Sequence, residues 1–387
     1  MNRASVQHFN IGQIEKIFEG KFSAATKVDL LWRGAESFRA IFDAIESARR
    51  SVCLQFYIFK NDDTGTAVAE GLKRKAAQGV SVYLLYDHFG SIGTPRSFWR
   101  DLRDAGVMLA ASRPFKWTAP CRYVHRDHRK LIVVDGERAL TGGLNIANEY
   151  SGFHLRRRGA GWRDTGIVLE GPIVGRLLRT FRKSWYTWRG EVIDVDETPA
   201  AYRTGGIHAI PLFVDSGKGR RRLRRLLYYS INRARTSITL TTAYFTPSRR
   251  MVETLEHAVQ RGVNVRLLVP GVSDVPAASY AGKAFFARLL KAGVEIYSYM
   301  GEILHAKTYL FDECWSVIGS TNLDFQSLRY NDEGNVGILD QGFATQMAAI
   351  FEEDLARSVR IEKDEWRRRP LQEKLKEHFF SLFRRRL

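Results

Sequence analysis

With 387 residues, 44% of them apolar, the chain is long enough for about two or three domains and can bury a substantial core. No stretch approaches the roughly eighteen apolar residues of a membrane span, and MNRASVQHFNIGQIEKIFEG at the N-terminus lacks the apolar centre of a signal peptide, so a soluble or peripheral protein is expected. The net charge of +18 is concentrated at Arg156–Arg158, Arg220–Arg222 with Arg224 and Arg225, Arg367–Arg369 and Arg384–Arg386, which points to an anionic partner, nucleic acid or acidic lipid, without choosing between them.

In chain order, SARRSVCLQFYIF (47–59) reads as a helix end running into a strand, and QGVSVYLLYD (78–87) and DAGVMLAA (104–111) as further strands. HRKLIVVD (128–135) is a short branched run closed by Asp-Gly, a hairpin signal. Strand alternation puts His128, Lys130, Ile132 and Val134 on one face and Arg129, Leu131, Val133 and Asp135 on the other. The first face starts polar and turns apolar, as a strand does on leaving a cleft for a core; Asp135 falls against the turn, in a structural place. WRDTGIVLEG (162–171) closes this set, and a connection follows at 190–220, holding Pro199, Gly205, Gly206 and Gly217. RARTSITLTTAYF (233–245), QRGVNVRLLVP (260–270), KAGVEIYS (291–298) and NDEGNVGILD (331–340) then answer the earlier strands, with the i,i+4 pairs Phe285/Leu289 and Phe286/Leu290 marking helix between them. Alternation of this kind predicts an α/β fold with helices on both faces of the sheets. Two homologous halves are expected at 28–200 and 201–356, with an N-terminal segment 1–27 and a C-terminal tail 357–387.

The duplicated stretches carry chemistry. His305, Lys307 and Asp312 repeat the H-x-K-x4-D spacing of His128, Lys130 and Asp135. Gly142 and Gly319 each follow their histidine by fourteen residues, and Asn145 and Asn322 by seventeen. One such match arises by chance in roughly one chain in tens at ordinary residue usage; two with the same glycine and asparagine downstream do not. Asp164 in WRDTG and Glu333 in NDEGN hold matching places and are candidates to fix the tautomer of each histidine, a solvated turn being the alternative. Gly142, Gly143, Gly319 and Ser320 would let backbone approach a phosphate, although a tight turn also explains the glycines. Tyr57 and Tyr244 fit a cleft entrance or plain core equally. His125 and Asp127 beside His128 suggest a metal, but no second cluster completes a coordination set, so no metal and no cofactor is expected. Cys53, Cys121 and Cys314 show no metal or redox spacing, which suits a reducing compartment.

These paired motifs resemble the phospholipase D superfamily over nearly the whole chain. VHRDHRKLIVVDG, TGGLNIANEY, LHAKTYLFD and IGSTNLDFQSLRYNDE are most similar to bacterial cardiolipin synthases. The resemblance implies two phospholipase D-like α/β sandwich halves with the active site at their interface. It also implies transfer of a phosphatidyl group from one phosphatidylglycerol to another through a phosphohistidine, with release of glycerol. The residues agree: neutral imidazole is a competent nucleophile near neutral pH and imidazolium can protonate a departing alkoxide, while a covalent intermediate splits one hard displacement into two. The residues leave open which imidazole attacks; by the family's usual assignment His128 attacks and His305 protonates. Lys130, Lys307 and the amides of Asn145 and Asn322 would hold the phosphate's charge without a metal.

Acceptor identity is not written in the motifs, so a phospholipase D hydrolase and a nucleic-acid phosphodiesterase stand as alternatives on the same site. The tail PLQEKLKEHFFSLFRRRL (370–387) favours lipid. Leu371, Leu375, Phe379, Leu382 and Phe383 form one helical stripe with basic residues mostly elsewhere, fitting an anionic bilayer or, alternatively, the protein's own core. The expected partners are therefore phosphatidylglycerol, cardiolipin and a membrane surface rather than nucleic acid, at the cytoplasmic side of the inner membrane.

Overall fold

A computed structural model describes residues 8–115, 117–118, 125–152, 161–195 and 206–383. Cys121, Arg156–Arg158, Pro199, Gly205 and Arg384–Arg386 lie outside the described residues. The chain forms two compact units: a first of Phe22–Asp215 with Asn331–Val336, and a second of Met1–Lys21, Ser216–Tyr330 and Gly337–Leu387.

The first unit contains β1 (Ser23–Ala25), β2 (Lys27–Leu31), β3 (Ser51–Phe56), β4 (Ser81–Asp87), β5 (Met108–Ser112), β6 (Leu131–Val134), β7 (Arg138–Gly142), β8 (Gly166–Glu170) and β9 (Ile207–Pro211). Seven of them form a sheet in the order β2-β8-β7-β6-β3-β4-β5. The β3, β4 and β5 strands are parallel, joined by the helices Asp63–Ala77 and Arg96–Asp104, and the rest of the sheet is antiparallel. Central β3 is buried at every position, as a strand covered on both faces must be. Val52, Leu54 and Phe56 join the cluster built on Phe38, Ile41 and Ile45 of the helix Gly34–Ser47. On the opposite face the helix Ile173–Arg189 presents Leu177, Phe181 and Trp185, the last edge-on to Tyr83 at 5.2 Å.

The second unit repeats the plan. Its β10 (Ser237–Thr241), β11 (Asn264–Pro270) and β12 (Glu295–Tyr299) are parallel; β13 (Thr308–Phe311) lies antiparallel to β10 and pairs with β14 (Trp315–Gly319). The strands β15 (Asn335–Leu339) and β16 (Ser358–Arg360) complete it. The α/β duplication expected from the repeats is thus the architecture.

Both motif strands begin three residues after their histidine, at Leu131 and Thr308, instead of at His128 and His305. In the first unit the reason is a competing partner: the His128 N–H donates to the Asp332 carbonyl at 2.8 Å, drawing residues before 131 out of the sheet ladder. At the far ends, Asp135 and Asp312 turn the hairpins with φ of 53° and 50°, a left-handed backbone that aspartate tolerates. The Asp135 carboxylate accepts the backbone N–H groups of Arg49, Arg50 and Ser51, and that of Asp312 those of Arg235, Thr236 and Ser237. Asp312 also meets His8 Nε2 at 2.5 Å.

Burial would raise the Asp312 carboxyl, but the donors from Ser237, Thr236 and Arg235 outweigh it and hold it below its ordinary value. A lowered folded-state value stabilises the protein above the unfolded carboxyl's pKa and is lost as pH falls through the folded one. Asp312→Ala is therefore expected to cost about 2–4 kcal/mol at neutral pH, and the gap from the parent protein should close below about pH 4. Chemical denaturation across pH checks both.

Candidate active site

In the first unit the site begins with the short segment 331–336, which is held on both sides. Asp332 donates its N–H to the Arg126 carbonyl and accepts that of His128, each at 2.8 Å, while Glu333 exchanges backbone bonds with Val214 at 2.8 and 3.0 Å. This clamp places Glu333 Oε2 3.3 Å from His128 Nδ1. Neither Glu333 nor Asp164 lies on a solvated turn; both are fully buried. Tyr57 packs edge-on to the His128 ring at 4.9 Å, and Lys130, also buried, donates from Nζ to the His128 carbonyl at 2.7 Å while lying 5.4 Å from the Tyr57 ring.

Beneath His128 is a buried charge network that the sequence pattern did not reveal. Asp127 accepts from Arg129 Nε at 2.7 Å and from Gln55 Nε2 at 2.8 Å, and donates its N–H to Asp87 Oδ2 at 2.8 Å. Burial works against the Asp127 carboxylate, but Arg129 more than compensates and holds it low. Asp127 is thus committed to a guanidinium. Burial pushes Asp87 up to about 7 and Asp332 up to about 6, the latter opposed by Arg129 and Arg113. Arg113 reaches Asp332 Oδ2 through Nε at 3.1 Å and Nη2 at 2.5 Å.

Asp332 adjoins Glu333, so the Arg113 ion pair bears on the segment that carries the carboxylate beside His128. Arg113→Met should lower kcat about 10- to 100-fold through misplacement of that carboxylate, with KM little changed. Loss of the cation also raises the Asp332 carboxyl further, so the acid limb of the kcat profile should move to higher pH. Steady-state kinetics across pH reads both effects.

In the second unit His305 and Lys307 are buried, and Lys307 Nζ lies 2.7 Å from His305 Nδ1 and also donates to the His305 carbonyl. An ammonium only donates, so in this contact Nδ1 is the acceptor. The Tyr244 ring stands edge-on to His305 at 6.2 Å, and its hydroxyl donates to Asp274 at 2.6 Å.

The asparagines fasten backbone in equivalent places. Asn145 Oδ1 accepts the Ile58 N–H at 3.1 Å and its amide donates to the Tyr150 hydroxyl at 2.8 Å. Asn322 Oδ1 accepts from the Tyr244 N–H and the Thr242 hydroxyl, both at 3.2 Å. Gly143 has a specific reason to lack a side chain: a Cβ there would stand 2.1 Å from Asp164 Oδ1. Its counterpart Ser320 is fully buried.

Residues 41–183 and 227–355 match the family model described as cardiolipin synthase, PLD-like domain. The chain belongs to this family. Cardiolipin synthase A of Pseudomonas putida is 35% identical over 339 residues, 87% of this chain and 70% of that protein. Cardiolipin synthase 2 of Bacillus cereus is 33% identical over 364 residues, 93% of this chain and 70% of that one. The crystal structure of phosphatidylserine synthase from Haemophilus influenzae has a TM-score of 0.77 at 15% identity, covering 97% of this chain and 100% of that chain, a likeness of fold. Among the described residues no helix is long and apolar enough to cross a membrane.

Proposed function

We propose that this member of the cardiolipin synthase family is a transphosphatidylase that makes cardiolipin from two phosphatidylglycerols through a phosphohistidine on His128. The reading is carried by the different contacts of the two Nδ1 atoms. With Glu333 at 3.3 Å, His128 Nδ1 keeps its proton and Nε2 presents a lone pair. With the Lys307 ammonium at 2.7 Å, His305 Nδ1 accepts and Nε2 carries the proton. One imidazole is set as nucleophile, the other as acid.

In the first step His128 Nε2 forms a bond to phosphorus, the P–O bond to glycerol breaks, and the glycerol oxygen takes the proton from His305 Nε2 while His305 Nδ1 takes one from the Lys307 ammonium. In the second, His305 Nε2 takes the proton from a hydroxyl of another phosphatidylglycerol as Nδ1 returns one to Lys307, that oxygen bonds to phosphorus, and the P–N bond to His128 breaks. Lys130 and Lys307 would balance the charge of the transferring group, with remaining donor capacity of the Asn145 and Asn322 amides assisting. Asp164, the positional counterpart of Glu333, is assigned as an orienting carboxylate for the second imidazole, whose Nδ1 is already engaged by Lys307. Gly143 supports it by leaving room for its carboxylate, and Ser320 is assigned to the phosphate-facing turn of the second motif. A lipid substrate places the protein at a membrane surface, and we assign it peripherally to the cytoplasmic side of the inner membrane.

The test is product analysis with purified protein and phosphatidylglycerol vesicles. Cardiolipin and glycerol in equal amounts support the reading; phosphatidic acid without cardiolipin would replace it with hydrolysis.

A further inference from the structure

The tail helix Leu371–Leu382 is anchored by a different side from the one its apolar stripe suggested. Phe380 stacks on Tyr280 of the helix Pro276–Lys283 at 5.7 Å and 18°, and Lys376 Nζ lies 5.6 Å from the same ring. Buried Glu377 accepts from Nε and Nη2 of the Arg369 guanidinium, tying the helix to the residue before Pro370. The five stripe residues face outward: Leu371, Leu375, Phe379 and Leu382 are 70%, 60%, 55% and 66% exposed, and Phe383 is exposed beside Phe379, ring centroids 5.3 Å apart. Held ready-formed by the protein, this helix spends its anchoring on Phe380 and Glu377 and leaves its greasiest residues to water, a costly arrangement for a face with no occupant.

We propose that this stripe docks the protein on an anionic bilayer, an inference that rests on the lipid-transfer reading for its purpose. Charge complementarity selects the occupant. Residues 357–387 hold 11 Lys and Arg against 5 Asp and Glu, and Arg367 and Arg368 just before the helix and Lys376 within it are exposed. An amphipathic helix of this make-up lies in the headgroup boundary with its apolar side about 5–10 Å deep and its cations against lipid phosphate. The surface also leads toward His305. The segment running into the helix Pro276–Lys283 exposes Val272 and Val275 and includes Asp274, which holds the hydroxyl of the tyrosine packed on that histidine.

The test uses the full chain and two variants, L375D/F379D and R367E/R368E. Sedimentation is measured with vesicles of phosphatidylglycerol and phosphatidylcholine and with phosphatidylcholine alone. Turnover is measured separately on a short-chain phosphatidylglycerol dispersed below its micelle concentration. The parent protein should sediment with the anionic vesicles only, both variants should partition at least about tenfold more weakly, and all three should turn over the dispersed lipid equally. Wild-type vesicle binding by L375D/F379D overturns the inference. So does a parent dimer that this variant dissociates without losing vesicle binding, since a second copy would then cover the stripe. Loss of dispersed-lipid turnover in L375D/F379D together with undiminished binding by R367E/R368E overturns it as well. If the parent binds through the stripe but fails to turn over the dispersed lipid, docking stands and the transfer reading falls.

Discussion

His128→Ala should abolish cardiolipin formation and leave no phosphatidyl group on the protein, whereas His305→Ala should stop turnover yet accumulate a covalent adduct with the right donor. The distinction follows from the two Nδ1 contacts: Glu333 for one ring and Lys307 for the other. Glycerol leaves as an alkoxide and needs a proton at the moment its bond breaks. A phosphatidyl donor with p-nitrophenol in place of glycerol does not. On that donor His305→Ala should release one burst of nitrophenolate per protein, and retain the lipid in acid-labile linkage because no base remains to activate the second alcohol. On phosphatidylglycerol each variant should fall by at least about four orders of magnitude, the scale seen when a nucleophile or its acid–base partner is removed. A burst from His128→Ala and none from His305→Ala would exchange the two roles.

Glu333→Gln should lower kcat by about three to four orders of magnitude with the fold intact, because an amide of the same shape can present N–H to Nδ1 and favour the wrong tautomer of His128. Glu333 is fully buried and its backbone is fixed by Val214, so the side chain has little freedom to withdraw. Binding of the lipid relies on other groups, which predicts a KM within a few-fold of the parent's. Nitrogen-15 NMR of the imidazole supplies the independent readout. His128 should show its proton on Nδ1 in the parent and a larger Nε2–H population in the variant. An unchanged tautomer with lost activity would assign Glu333 a merely structural place.

The fold could be read from the chain because it is written twice. Strands such as 51–56 and 237–241 announce themselves by branched apolar runs at matched spacing from matched turns, and local pattern carries that information. The turn at Asp135 was legible for the same reason, its Asp-Gly pair closing its own strand, whereas the left-handed backbone at Asp312 was not. What local pattern cannot carry is a partner brought from far along the chain. The strand at Leu131 starts late because a carbonyl 204 residues from His128 captures its N–H. Arg113 follows β5 in a stretch without motif character, and only its 2.5 Å contact with Asp332 gives it meaning. Arg129, placed by alternation on the face away from His128, proved to be a buried cation whose counter-ion is Asp127 two residues before it. Gly143 is a similar case: turn chemistry accounts for a glycine, but the seat it leaves for the Asp164 carboxylate is visible only in space.

The exchange of residues 331–336 into the unit that bears the first histidine has an evolutionary edge. A fragment ending at Asp215 would hold every strand of that histidine's sheet and still lack the carboxylate beside its Nδ1. The copy bearing His128 therefore cannot be recombined or lent to another gene without leaving that carboxylate behind, and the fusion, once made, becomes a one-way ratchet.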